Sequence, residues 1–567
     1  MAHDESENSS HDTLSRRGFL GVGLAAGGAL ALGDLRLGRS PLPGAPAAAA
    51  LGTTGATSAA PFALEEATIA DLQKGMAAGT YTSRSIAEQY LARIDELDKR
   101  GPALNQIIEL NPDALSIADA MDAERKAGKV RGPLHGVPVL IKDNIATADK
   151  MQTTAGSLAL VGSKVPRDAF VAQRLREAGA VILGKTNLSE WANFRSTHSS
   201  SGWSGRGGLS HNPYALDRTA SGSSSGSGGA IAANFAAVAV GTETDGSVTS
   251  PAAASSLVGI KPTVGLVSRA GIVPISHTQD TAGPMTRTVA DAAALLSAIA
   301  GHDPRDSATN RWAMGVRPTD YTKFLDPNGL RGARIGVARE HYTGYNTHAD
   351  KALEAALAVM KAQGAVIVDP ANIATAKTLD ADEFDLLMWE FKTDLNAYLA
   401  GLTESPVRTL ADVIAFNEKN ADREMPYFGQ EIMTMSQKKG ALTEAKYKAI
   451  LAKGKRLAGA QGIDATITKH RLDAIVAPTQ GPPVLTDLVN GDPGGGGSFT
   501  SPAAVAGYPH VTVPAGYAFG LPLGISFVGP AWSEGTLIKL AYAYEQATKH
   551  RRPPRFLRTA ELGVAAD

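Results

Sequence analysis

One stretch of this 567-residue chain limits its possible folds more than any other: residues 221–262, SGSSSGSGGAIAANFAAVAVGTETDGSVTSPAAASSLVGIKP. Apart from Glu243, Asp245 and Lys261 it carries no charge, and it is built almost entirely from Gly, Ser, Ala and Val. Small side chains allow backbones to approach closely, and glycine supplies the positive φ that tight turns need. A flexible linker would not contain Ile231, Phe235 and the valines of 238–240, so the segment 230–240 is expected to be buried. Two serine-bearing turns, 222–226 and 244–247, flank it. Chemistry is expected there.

The rest of the composition narrows the function. Hydrophobic residues make up 43% of the chain and charged residues 20%, as in ordinary soluble globular proteins. A formal net charge of −1 and the lack of a long basic run give no field for attracting nucleic acid. There is no cysteine, which removes disulfides, thiol nucleophiles and thiolate metal sites together. The twelve histidines show no HExxH-type pairing, so neither a metal nor a cofactor is expected.

The first fifty residues read as an export signal. Ser15-Arg16-Arg17-Gly18-Phe19-Leu20 is a twin-arginine motif, followed by a Gly/Ala-rich apolar run at 21–32 and a Pro/Ala-rich tract at 41–50 suited to cleavage. The apolar run is too short and too rich in glycine for stable membrane insertion. The expected partner of this segment is the twin-arginine export machinery, and the expected destination is the periplasm or the exterior. Residues 51–62 read as a linker and 557–567 as a tail.

Between them, helical spacing is seen at 67–79 and 83–99, where Ile86, Tyr90, Leu91, Ile94 and Leu97 share a face and Ser83 is the expected N-cap. A further helix is expected at 113–128. The run 137–141 reads as a buried strand with Lys142 at its end. That lysine either emerges to solvent or is buried, which is costly for a charge without partners. Residues 169–178 read as a helix, 180–183 as a strand, 184–187 as the turn after it, and 196–209 as a polar surface loop. Strands are expected at 237–241, 334–338, 365–368, 472–477, 510–513 and 524–528, with helices at 350–363 and 534–549. Residues 380–453 are helical in pattern and suit an insert or cap, and the glycines of 494–497 suit a mobile loop. Alternating strands and helices imply an α/β fold with a single large mixed β-sheet core covered by helices on both faces, in one domain over 63–556.

Three chemistries compete for the serine turns. Residues 222–226 fit G-x-S-x-G, with Ser224 as nucleophile, but 217–221 makes a poor preceding strand, and the downstream histidines, His510 and His550, lack a motif. A phosphate loop would need a lysine after the glycines, and there is none. The 244–247 turn, following a strand, can converge successive N–H groups on an oxyanion, with Ser247 as nucleophile. A Ser–Lys arrangement with Lys142 as base then becomes attractive.

These residues resemble the amidase signature family. Its G-V-P-x-x-x-K-D pattern is similar to 136–143, and G-A-V-x-x-G-K-T-N is similar to 179–187. The Gly/Ser turn, a G-T-[DE]-x-x-G-S turn at 241–247, G-x-K-P-T at 259–263 and a tail region at 506–516 follow in order. The resemblance spans roughly 67–554, and the paired turns with Asn212-Pro213-Tyr214 are most similar to bacterial peptide amidases. Glu243 stands where Asp is commoner and Asp245 where Gly is. The resemblance implies the family's mixed-sheet fold and a Ser–cis-Ser–Lys triad of Ser247, Ser223 and Lys142. It also implies an oxyanion hole from the amides of Thr244, Asp245, Gly246 and Ser247, and hydrolysis of a small-molecule or peptide carboxamide, above all the C-terminal amide of peptides, to carboxylate and ammonia through an acyl-enzyme. Two other readings share the motifs: the glutaminase component of a tRNA-dependent amidotransferase, and an exported binding protein without activity. The lysine poses a quantitative demand. At a reference pKa of about 10.4, neutralising it at pH 7 costs roughly 4.6 kcal/mol, so a base requires burial that lowers this value.

Overall fold

The structure, a computed structural model, describes residues 62–313, 318–493 and 497–562. The twin-arginine motif and its apolar run, residues 51–61 of the linker, 494–496 of the glycine run and 563–567 of the tail lie outside the described residues.

The buried apolar runs become strands: β1 (Ile107–Leu110), β2 (Pro138–Lys142), β3 (Val181–Thr186), β4 (Trp203–Ser204), β5 (Gly208–Leu209), β6 (Val238–Glu243), β7 (Val258–Lys261), β8 (Thr281–Thr286), β9 (Arg334–Val337), β10 (Val366–Val368), β11 (Ala474–Pro478), β12 (His510–Ala518) and β13 (Leu521–Val528). Eleven of them make one sheet in the order β1-β3-β2-β6-β8-β7-β12-β13-β11-β9-β10, while β4 and β5 form a small separate ribbon. β3, β2 and β6 run parallel, as do β11, β9 and β10, and the middle of the sheet is antiparallel. This is the mixed sheet expected. Every residue of β2, β3, β6, β7, β8, β11 and β13 is buried, which requires cover on both faces and explains why these strands read as continuous apolar runs.

Two features of the 221–262 stretch depend on its small residues. The helix Ser225–Ala232 contains three glycines and has no side-chain N-cap, a poor intrinsic helix, yet all eight residues are buried against neighbouring strands. A Cβ on Gly226 would lie 2.5 Å from the carbonyl oxygens of Asn187 and Gln106, and one on Gly241 would lie 2.8 Å from Ser224 Oγ. Bulkier residues would push the turn off the sheet.

Several local expectations change. Thr82, not Ser83, caps its helix, accepting from Ser85 N, and the helix ends in a π-helical turn at Asp95–Lys99. Residues 184–186 continue β3 rather than turning away from it, because Lys185 is satisfied inside: its amine donates to Ile145 O at 2.6 Å and Thr153 Oγ1 at 3.0 Å. The 196–209 segment is not a surface loop. Trp203 and Ser204 are buried, and Arg206 pairs with Glu109. Region 380–453 is helical as expected, over Asp380–Ala400, Leu410–Lys419, Ala421–Glu424, Glu431–Gln437 and Ala445–Lys455. Its Leu387, Phe391 and Leu395 join one apolar cluster with Ala155, Trp191 and Val273 of the core loops. No described helix is long and apolar enough to cross a membrane.

Candidate active site

β2 and β6 are parallel neighbours, so the ends of both strands arrive at the same edge of the sheet. Lys142 ends β2 and Thr242 lies near the end of β6. Lys142 does not emerge to solvent: it is fully buried, and its amine donates to Ser223 Oγ at 2.8 Å, Thr242 Oγ1 at 3.0 Å and Thr242 O at 3.3 Å. Three acceptors match the three hydrogens of an ammonium. A neutral amine would keep two of these bonds and accept the third from Ser223, so both protonation states fit the same cage. Burial pulls this amine down to about 7, against the opposing pull of the Asp280 and Glu243 carboxylates.

Ser223 follows a cis peptide bond from Gly222, and its carbonyl accepts from Ser189 N at 3.0 Å. Ser224 N donates to Ser247 O at 3.1 Å, which fastens the first serine turn to the second. Among the described residues no hydrogen bond joins the Ser223 and Ser247 hydroxyls, a link that in ligand-free sites commonly tightens only around substrate. Ser224 is excluded as nucleophile by its own bonds. Its hydroxyl donates to Thr242 O at 3.0 Å and accepts from Thr242 N at 3.2 Å, bracing the turn against β6. His510 is bonded to Ser526 Oγ at 2.6 Å within the sheet and is pulled down to about 3 by burial, so it serves no serine of the first turn.

The 244–247 turn has the form of a nest. Gly246 adopts φ +75°, and no hydrogen bond among the described residues uses the N–H of Thr244, Asp245, Gly246 or Ser247. The next two amides are engaged: Val248 and Thr249 donate to Glu243 Oε2 at 2.8 and 2.9 Å. Glu243 thus caps the helix Thr249–Ala254 from the strand before it. Lys261, also buried, faces Glu243 and favours its ionised form against the opposing effect of burial. Ser247 is 8% exposed and lies beside a cavity of ≈ 180 Å³ lined by Asp245, Gly246, Ser250, Glu383, Phe384 and Leu387. Asp245 accepts from Ser501 Oγ at 2.8 Å on the wall of that cavity.

All the singled-out residues, Lys142, Ser223, Thr244, Asp245, Gly246 and Ser247, therefore meet at one place. Sequence reading missed Thr242, Asn144, Gln279 and Asp280. Thr242 is the hub between Lys142 and Asn144, whose Nδ2 donates to Thr242 Oγ1 at 2.9 Å. The one hydroxyl in β6, just before Glu243 at the end of an apolar run, was the available signal for it. Asp280 reaches the site only through the pairing of β6 with β8, which a sequence does not display. One other cluster, His277, Glu390 and Asp394, brings metal-ligating atoms together, but these side chains already bond one another and their neighbours.

Similarity to known proteins agrees with this geometry. The amidase family model matches residues 85–538. A probable amidase of Arabidopsis thaliana is 45% identical over 504 residues, 88% of this chain and 93% of that protein. The matching component of the glutamyl-tRNA(Gln) amidotransferase of Myxococcus xanthus is 35% identical over 503 residues, 85% of this chain and 97% of its own. The native peptide amidase of Stenotrophomonas maltophilia superposes with a TM-score of 0.83 at 51% identity, covering 88% of this chain and all of that one. With the sheet, the two serine turns and the buried lysine in hand, the chain belongs to the amidase family, the amidase signature enzymes, and is an amide hydrolase.

Proposed function

We propose that this amidase removes the C-terminal carboxamide nitrogen of peptides, using Ser247 as nucleophile, Ser223 as proton bridge and Lys142 as base. The observation that carries the reading is a fully buried lysine bonded to Ser223 beside Ser247. In its neutral form Lys142 accepts the proton of Ser223 as Ser223 takes that of Ser247, and Ser247 Oγ attacks the amide carbon. The N–H groups of the 244–247 turn receive the negative charge that develops on the carbonyl oxygen. The tetrahedral adduct collapses as Ser223 passes its proton to the departing nitrogen and takes back the one held by Lys142, and ammonia leaves an acyl group on Ser247. Water then attacks that ester while Ser223 and Lys142 take its proton, and they return it to Ser247 as the second adduct collapses, releasing the acid product, which ionises to a carboxylate.

The peptide preference is supported by the likeness to the Stenotrophomonas enzyme, and the match to the tRNA-dependent amidotransferase makes free glutamine the competing substrate. Ammonia release from a C-terminally amidated dipeptide, free glutamine and an aryl amide, with Ser247→Ala beside the wild type, tests both points. The expected result is preference for the dipeptide amide and none released by the variant. Preference for glutamine or the aryl amide overturns the substrate class, and activity in Ser247→Ala overturns the nucleophile. We further propose export by the twin-arginine route, carried by Arg16 and Arg17. Replacing both with lysine is expected to leave the enzyme in the cytoplasm of a bacterial host, and unchanged export would refute it.

A further inference from the structure

The 244–247 turn is also held from a side that takes no part in the steps above. Asp280 lies immediately before β8 and Thr244 immediately after β6, next to the last pair of the β6–β8 ladder, Glu243 with Thr281. Its Oδ1 accepts from Thr244 Oγ1 at 2.5 Å, and its Oδ2 accepts from the N–H groups of Ile275 and Ser276 at 2.8 and 2.9 Å. Next to it, Gln279 Nε2 donates to Thr244 O at 3.3 Å and to Glu383 Oε1 at 2.8 Å. Thr244 is therefore gripped by both its hydroxyl and its carbonyl. Because a peptide group is planar, holding the carbonyl of Thr244 also aims the N–H of Asp245.

Asp280 has a second line of influence. It is buried, and its charge and that of Glu243 are the two that act on the Lys142 amine. The cation facing Asp280 is Arg269, itself bound to Asp306, with His277 and Asp394 beyond it. Glu243 faces Lys261 and Asp245 on its other side.

We propose that Asp280 is a positioning residue of the active site: through Thr244 it fixes the peptide planes of the oxyanion turn. This rests on the Ser247–Ser223–Lys142 reading. Two variants separate its hydrogen bond from its charge. Asp280→Asn removes the charge and keeps the shape, whereas Thr244→Val removes the hydroxyl and keeps the charge.

The test is the pH profile of ammonia release from the amidated dipeptide, between pH 5 and 9, for the full chain. Asp280→Asn is expected to lower kcat about ten- to a hundredfold with little change in KM, as a slightly misaimed turn does. It should also move the acid limb of kcat/KM to lower pH by about one unit, because losing a nearby negative charge makes Lys142 easier to deprotonate. Thr244→Val should lower kcat while leaving the limb where the wild type has it. A residue that only filled space would not move the limb. Wild-type kcat and limb in Asp280→Asn overturn the proposal, as does wild-type kcat in Thr244→Val, which decides alone if Asp280→Asn does not fold. Ser247→Ala in the same series keeps the failures apart: if it is inactive while Asp280→Asn behaves as wild type, only the Asp280 proposal falls.

Discussion

Lys142 shows how a single side chain can be made reactive by where its strand ends. The chain stays buried beyond it, at Asp143 and Asn144, so neighbouring polar groups rather than water must hold the amine. In place, burial lowers its amine to about 7 while Ser223 and Thr242 supply polar partners for both protonation states. The expected consequence is a kcat/KM that rises through about pH 7 as the amine loses its proton and falls about tenfold per unit below it. Lys142→Arg gives a sharp check. Guanidinium stays protonated at every workable pH, so the variant should lose about 10²- to 10⁴-fold in kcat and show no acid limb near 7. Retained activity with the wild-type limb would remove Lys142 from the role of base. Lys142, Ser223 and Ser247 were singled out in the sequence because ordered motifs surround each of them. Ser247 was preferred there to Ser224 because 217–221 makes a poor strand before the first turn and no downstream histidine carries a motif. The bonds that tie the Ser224 hydroxyl to the backbone of Thr242 agree with that preference.

At the scale of elements, the site is a set of chain ends brought together by pairing. Strand interiors were readable because parallel, doubly covered strands are unbroken apolar runs. Strand ends were not. β3 runs through Lys185 and Thr186 because buried acceptors await the amine, and Trp203 and Ser204 are buried in a segment of polar composition where a ribbon forms. The same limit hid Glu243 as a cap. The helix Thr249–Ala254 lacks a capping side chain at Val248, and the carboxylate reaching back from β6 takes the Val248 and Thr249 N–H groups together with the Thr249 hydroxyl at 3.2 Å. Glu243→Ala would leave two buried amides without an acceptor, at about 1–3 kcal/mol each. It would also release the turn that holds Ser247. We expect a lower thermal midpoint and a kcat reduced at least tenfold, with Glu243→Gln, which keeps an acceptor oxygen, recovering most of the stability. Equal losses in both variants would show that charge opposite Lys261, and not capping, is what the position requires.

For the molecule as a whole, the question is what holds the helices of 380–453 against the sheet, since Glu383, Phe384 and Leu387 form one wall of the cavity beside Ser247. Part of the answer is apolar contact around Phe391 and Trp191. Another part is a buried charge cluster. Arg195, 1% exposed, donates to Glu190 Oε1 at 2.6 Å, to the Glu424 carbonyl and to Phe428 O at 3.3 Å, with its guanidinium 4.3 Å from the Phe428 ring centroid. One cation thus faces two carboxyl groups, Glu190 from the core and Glu424 from the helical region. Burial and the neighbouring Glu190 push Glu424 up to about 8. Opening the helical region would rehydrate Glu424 and return it toward its ordinary value of about 4.3. Between those two values the closed form holds a proton that the open form lacks, so closure weakens as pH rises from about 4.3 to about 8 and changes little beyond. Amide hydrogen exchange over 380–437, corrected for its intrinsic pH dependence, should therefore quicken across that window while β6 and β8 stay protected. Glu424→Gln, which keeps the shape and cannot ionise, should flatten the dependence and match the wild type near pH 5. The same pH dependence in the variant would assign the opening to another group, with the ion pair between His277 and Asp394, the latter on the long helix Asp380–Ala400, next to be removed.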